Sequence, residues 1–376
     1  PTEIPSATRA PRWVASKLSI ACAVNAAIVS AACAADRIVL RDLTIISDRT
    51  VASMSLDGLQ LDNGNAIGWD EIETGRVGGG KQELFDKYLK NVGVHLFRIR
   101  QRLENGDYRS LAPSAEAIER FYRGRNTATG YMVMQALMWG RMAEGKRAAA
   151  VTPYLHCYEY LRTAQADAIP PPGDRRLQYD PATGMCDELP PVWFDAEQAK
   201  AALPEVAAAI SKVQQPRPAA TRIYYASLAL AAGDGAAADR ALAGMTDDNP
   251  RVSQLLLILN VQREVTAGSP GKHVEQLQSI DAELVPANRP LAQYWLGMAK
   301  VASDDASKQR EGVLDLLHLP AVHGEQSPTL AAAGLHQAMQ TLEELGDLRG
   351  SIALRSELLS KYGQTYHATQ ITNDPP

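Results

Sequence analysis

The stretch Ile223–Pro250 reads IYYASLALAAGDGAAADRALAGMTDDNP. Good helix formers fill both halves, and Gly233-Asp234 interrupts them with a turn residue and a capping residue. Ala226 and Ala238 put a small side chain in each half, where two antiparallel helices approach closely. Pro250 ends the unit. The pattern recurs from Leu335 to Gly363, with Gly346-Asp347 as the turn, Ser351 at the small position and Leu358 at the next apolar site. Weaker copies centre on Gly106-Asp107 and on Gly145-Lys146, the latter with Ala150 and Cys157 at its second-helix positions.

These residues resemble tetratricopeptide units. The turn glycines stand 39, 88 and 113 residues apart, spacings that a repeat of about 34 residues meets only with insertions. Tyr294-Trp295-Leu296-Gly297 resembles a further first helix. The resemblance implies stacked helical hairpins whose first helices line a groove, with Tyr225 and Trp295 as groove contacts. Helical spacing starts early, since Leu84, Tyr88, Val92 and Leu96 form an i, i+4 stripe. The expected fold class is mainly α: a tetratricopeptide-like helical-hairpin solenoid preceded by a small all-β module.

The N-terminus reads as an export signal. Arg9, Arg12 and Lys17 precede an apolar run from Leu18 to Val29, and the small residues Ser30-Ala31-Ala32-Cys33-Ala34-Ala35 follow. The run is too short for a bilayer core, which needs about 20 residues. Cleavage after Ala34 or Ala35 is expected, with an uncleaved anchor or lipidation on Cys33 as alternatives. The full chain has 38 basic and 43 acidic side chains, a net charge of −5, and is 45% hydrophobic. That composition excludes a disordered chain and a polybasic nucleic-acid binder. Removing residues 1–35 takes out three bases and one acid, which moves the net charge from −5 to −7.

Residues 36–77 alternate with period two. Ile38 and Leu40, Leu59 and Leu61, and Ile67 and Trp69 mark short strands, with Asp57-Gly58 and Asn63-Gly64 between them. The closing Ile67-Gly68-Trp69-Asp70-Glu71-Ile72 is similar to small β modules that follow the signal in some exported bacterial proteins of unknown function. The first turn, Arg41-Asp42-Leu43-Thr44, lacks the glycine of that pattern. So small a module is expected to lean on the helices behind it or on a partner. Gly78-Gly79-Gly80 reads as a linker, because Lys81 lacks the spacing and the following Ser or Thr of a phosphate-binding loop.

Helical repeats are expected over 78–165 and 195–364, with a flexible tail over 365–376. Between the repeats, 166–194 carries prolines at 170, 171, 172, 181, 190 and 191 and ends in Val192-Trp193-Phe194. Helix is excluded through most of it, and its apolar end either docks on the helices or faces a partner. After signal removal Cys157 and Cys186 remain, which permits one disulfide or two separate buried thiols.

The sequence contains no nucleophile elbow, zinc-protease helix or dinucleotide fingerprint. His318 and His323 are not at metal-pair spacing, and His156 and Cys157 are helical neighbours that do not face each other. No catalytic, metal-ligating or cofactor-binding residue is assigned, and no cofactor is expected. Seven arginines crowd into 28 residues: Arg98, Arg100, Arg102, Arg109, Arg120, Arg123 and Arg125. On an acidic protein they form either a solvated face or a dock for an acidic partner. The expected function is an exported, periplasmic or envelope-associated scaffold or adaptor that is not an enzyme. It binds a protein or peptide partner, through residues such as Arg98, Arg102, Arg120, Arg123, Arg125, Trp193, Tyr225 and Trp295. It binds no nucleic acid, and touches membrane only through an uncleaved signal or lipid on Cys33. The alternative is an envelope polysaccharide hydrolase or lyase using Asp180, Asp187, Glu188 and Asp195 beside the 166–194 loop.

Overall fold

The computed structural model describes residues 36–163, 171–246 and 248–373. The expected export segment 1–35, including Cys33, and residues 166–170 of the proline-rich stretch lie outside them. The chain forms two compact units, one ending at Val94 and the other beginning at His95.

The first unit holds β1 (Arg37–Leu40), β2 (Ile45–Ile46), β3 (Val51–Met54), β4 (Leu59–Leu61), β5 (Ala66–Ile67) and β6 (Ile72–Arg76). They make two antiparallel three-stranded sheets, ordered β2-β1-β6 and β3-β4-β5. Alternation puts Ile38, Leu59, Leu61, Ile67 and Ile72 inside around Trp69. Helix α1 (Gln82–Tyr88) completes this core, with the Phe85 and Tyr88 rings 5.6 and 5.3 Å from Trp69. The small module thus leans on the helix behind it. Asp36 accepts the Val51 and Gly78 N–H groups at 2.6 Å each, which ties the start of the module to its end. The Lys81 ammonium donates to the Val51 and Ala52 carbonyls, a structural use of the lysine after the glycine triplet.

In the glycine-free turn between β1 and β2, Leu43 itself takes φ +71° while its side chain stands 80% exposed. The left-handed region costs an L-residue roughly 1–2 kcal/mol, and an exposed side chain loses little on removal. Leu43→Gly is therefore expected to stabilise the first unit by about 0.5–1 kcal/mol. A shift of the urea midpoint to higher concentration checks this; a shift to lower concentration contradicts the strain.

A π-helical turn, Leu89–Gly93, leads into α2 (Val94–Glu104). Then follow α3 (Leu111–Tyr122), α4 (Ala128–Ala143), α5 (Arg147–Thr163), α6 (Ala196–Lys212), α7 (Ala219–Ala231) and α8 (Gly235–Leu242). The chain continues through α9 (Pro250–Thr266), α10 (Lys272–Ser279), a 3-10 turn at Asp281–Glu283, α11 (Arg289–Val301), α12 (Ala306–Val322), α13 (Pro328–Glu344), α14 (Leu348–Tyr362) and α15 (Tyr366–Asn373). Most neighbours in sequence pack as antiparallel pairs. In addition α5, α7, α9, α11, α13 and α15 touch one another in turn, which makes them one layer of a stacked array. Ala226, Ala238, Ala150 and Ser351 are all buried at helix crossings, as their size requires.

The four turns read from the sequence share one geometry. Gly106, Gly145, Gly233 and Gly346 all have positive φ. The N–H of the next residue returns to a carbonyl five positions earlier: Asp107 to Arg102, Lys146 to Arg141, Asp234 to Ala229 and Asp347 to Leu342. Asp234 then caps α8 by accepting the Ala237 N–H at 2.9 Å, and Asp347 caps α14 by accepting the Gly350 N–H at 2.9 Å. Asp234→Ala is expected to cost about 1 kcal/mol in the denaturant midpoint. An unchanged midpoint would mean that packing alone sets this hairpin.

One expectation is corrected here. Residues 366–373, expected to belong to a flexible tail, form α15. His367, Ala368 and Ile371 are buried, and Ala368 and Ile371, three apart, pack against Ala332, Leu335 and Leu358. A short helix with so few apolar residues gives weak periodicity, so its docking and not its propensity sets it.

Candidate functional site

The proline-rich segment docks on its own protein. Asp180 to Gly184 form a tight turn, in which the Asp180 carboxylate accepts from the Ala182 N–H at 2.9 Å and the Thr183 hydroxyl at 2.7 Å. Tyr179 and Cys186 then pair as an isolated antiparallel bridge. The segment crosses the layer face of α5, α7, α9 and α11. Tyr154 of α5 donates to the Gly184 carbonyl. The Tyr224 hydroxyl of α7 accepts the Cys186 N–H at 3.1 Å and donates to the Leu189 carbonyl at 2.8 Å. The Trp193 indole N–H donates to the Ser227 hydroxyl at 2.9 Å. Phe194 meets Tyr294 of α11 and His367 of α15. This self-docked segment covers side chains of α5, α7 and α11 on that layer.

That placement changes the reading of several residues. Trp193 and Trp295 are buried and present no ring to a partner. Tyr224, not Tyr225, faces the docked segment. Tyr225 is half-buried in a shallow recess of about 330 Å³ between α6, α7 and α8, beside Arg222 and Arg240. The carboxylates of the 180–195 region are held one by one. Arg251 bridges Asp180 at 3.2 Å and Asp187, Arg175 takes Glu188, and Asp195 caps α6. Desolvation raises the Asp180 carboxyl, but the hydrogen bonds from Thr183 and Ala182 and the Arg251 charge outweigh it, so its pKa lies below the ordinary value.

The arginine-rich stretch is divided in the same way. Arg102 turns inward to the Ser110 carbonyl and the Ser114 hydroxyl. Arg123 pairs with Glu119 at 2.7 Å and with Glu205 at 3.6 Å. Arg120 lies over the Phe121 ring at 4.7 Å, while Glu116, one turn before it, sits 3.6 Å from Arg141. Arg98, Arg109, Arg120 and Arg125 keep exposed positions. Cys157 and Cys186 are buried free thiols. Burial pushes both thiols up, Cys186 to about 12, and desolvation lowers the neighbouring His156 to about 4. No thiolate–imidazolium pair forms under those shifts. No cluster of three or more metal-ligating side chains occurs among the described residues.

A cavity of about 470 Å³ opens where the α2–α3, α4–α5 and α14–α15 turns meet. Arg109 donates to the Gln364 carbonyl at 3.4 Å across it, so the two ends of the array close on each other here. Tyr108, Trp139, Met142 and Tyr366 supply its apolar wall. Arg175 is held between rings, 4.5 Å from Tyr108 and 4.6 Å from Trp139, and its charge is matched by Glu188. Arg147, at the first position of α5, also lines the cavity and is only 3% exposed. It donates to the Pro190 carbonyl at 3.0 Å and the Val192 carbonyl at 3.5 Å, and among the described residues no carboxylate pairs with it. Burial lowers its pKa to about 10.

No family model, curated protein or solved structure matches this chain.

Sequence reasoning placed Arg109 in the basic stretch but missed Tyr108, Trp139, Arg147, Arg175 and Tyr366 as a group. They come from four separate stretches of chain that meet only in the folded array. One local signal points to the place. Three of the four turns carry Gly-Asp, and the turn that opens α5 beside this cavity carries Gly-Lys instead, at 145–146.

Proposed function

We propose that this chain is a non-enzymatic scaffold or adaptor, exported to the periplasm or cell envelope, that holds a protein or peptide partner on a tetratricopeptide-like helical-repeat surface. The observation that carries this reading is the basic and aromatic cavity at the turn edge of the array. The sequence of residues 1–35 supports export. With Trp193 and Trp295 buried, the reading takes as its contacts Arg109 at this edge and the exposed Arg98, Arg120 and Arg125 nearby in sequence. The engagement of Asp180, Asp187, Glu188 and Asp195 in ion pairs, hydrogen bonds and a cap favours binding over the polysaccharide hydrolase or lyase alternative. A net charge of −7 after signal removal gives no long-range attraction to nucleic acid.

The test is crosslinking capture of the mature, tagged chain from its own cell envelope, read by mass spectrometry. A single recurrent protein partner that is lost when Arg98, Arg109, Arg120 and Arg125 are replaced together by glutamine is the expected result. Capture of envelope polymer without protein would overturn the adaptor reading and restore the carbohydrate one.

A further inference from the structure

The cavity at the α4–α5 turn has the chemistry of a carboxylate receptor. Arg147 is a buried guanidinium whose Nη2 and Nε face the Pro190 and Val192 carbonyls, while Nη1 has no acceptor among the described residues. A buried charge without a counter-ion is costly, and an incoming anion relieves that cost. The N-terminus of the 17-residue helix α5 adds to the pull. Asp234 and Asp347, which follow two of the other turn glycines, hold the capping position and satisfy first-turn N–H groups. At α5 that position is Lys146, whose ammonium pairs with Glu144 at 2.8 Å and which offers no side-chain acceptor. The first turn of α5 therefore keeps its partial positive charge beside Arg147.

The balance of charge selects the kind of anion. Glu188 matches Arg175, and Asp107 shares the cavity mouth with Arg109. Arg147 remains as one uncompensated positive charge, which suits a singly charged group better than a phosphate dianion. The rest of the cavity is apolar and aromatic at Met142, Tyr108 and Tyr366, with Thr365 and Gln364 at its edge. Its volume lies within the range of small-ligand sites.

We infer that this cavity binds an organic carboxylate with an apolar or aromatic body, the carboxylate on Arg147 at the start of α5 and the body against Tyr108 and Tyr366. The inference rests on the adaptor reading only for the source of the carboxylate, as the chain end of a partner peptide. A free small acid is the other source of the same chemistry.

Titration of the mature protein with N-acetyl-phenylalanine, N-acetyl-phenylalaninamide and inorganic phosphate, followed by calorimetry and tryptophan fluorescence, tests it. The acid is expected to bind roughly 30-fold more tightly than the amide, the usual worth of a charge-assisted contact. Arg147→Met is expected to abolish that preference. Lys146→Asp, which supplies the cap found after Gly233 and Gly346, is expected to weaken the acid roughly tenfold while the melting temperature holds or rises, so loss of binding is separable from loss of fold. Equal binding of acid and amide, tighter binding of phosphate, or no binding at all would each overturn the inference. An N-acetylated pentapeptide ending in phenylalanine, if tighter than benzoate, assigns the carboxylate to a partner's chain end; the reverse order assigns it to a free acid. A captured envelope partner indifferent to Arg147→Met and to competing acid would leave the adaptor reading standing and sink this one. Acid binding with no captured partner would do the opposite.

Discussion

Trp193→Ala lowers the unfolding free energy of the helical unit by about 3–5 kcal/mol, the cost typical of removing a large buried ring. Trp193 is 8% exposed, its ring centroid lies 6.3 Å from that of Tyr224, and its N–H is held by Ser227. It anchors one end of the self-docked segment, between the Leu189 and Val192 contacts and the Phe194 ring. Losing it leaves a cavity on the α7 face and a buried Ser227 hydroxyl short of one partner. The expected result is a lower urea midpoint together with new proteolytic cleavage within residues 171–194. Trp193→Phe should recover much of the packing but not the hydrogen bond. A loss below about 1 kcal/mol with unchanged proteolysis would mean that the segment is held elsewhere.

Acidification is the second large effect, and His367 carries most of it. Desolvation pushes this imidazole from 6.5 down to about 3, with His336 and Arg147 repelling its charged form. The surroundings explain the shift. The His367 ring lies 4.5 Å from Phe194, 4.9 Å from His336 and 5.3 Å from Tyr366, and its Nε2 has no hydrogen-bond partner. The folded pKa is below the unfolded one, so the unfolded chain binds the proton first as pH falls. The stability tied to a neutral His367 is complete above pH 6.5 and is lost progressively toward pH 3. One pKa unit is worth about 1.4 kcal/mol, so the loss reaches about 2 kcal/mol at pH 5. Burial and the nearby Lys212 and Arg123 lower His156 to about 4, which adds in the same direction. Urea midpoints measured from pH 7.5 to 4.5 should fall steeply for the parent and less steeply for His367→Phe. Equal slopes would remove His367 from the account of acid sensitivity.

The hairpins were legible because their signals are local. A glycine at positive φ, an aspartate that caps and an alanine at a crossing all act within a few residues. The same holds for Trp69 as the centre of the β module, where alternation fixes which face it joins. Helix α15 was not legible, because Ala368 and Ile371 gain their burial from α13 and α14 and not from a pattern of their own. Trp295 and Trp193 were read as partner contacts from their type and position. Which way a ring points depends on what lies against it, and the groups that bury Trp193, Tyr224 and Ser227 of α7 among them, stand more than 30 residues away in sequence. The carboxylates near that segment were open to an enzymatic reading for the same reason, since Arg251, which holds two of them, is distant in sequence. At the cavity the sequence marked Gly145-Lys146 as a turn, but not the burial of Arg147 behind it.

The central claim is recognition of a protein partner at the turn edge of the array. It is tested most directly by placing a photo-activated crosslinking residue at position 109, in the chain produced and exported by its own cells. Irradiation should give one discrete protein adduct, reduced by added N-acetyl-phenylalanine and by Arg147→Met. A chain with no adduct at position 109, or one crosslinked only to envelope polysaccharide, would contradict it.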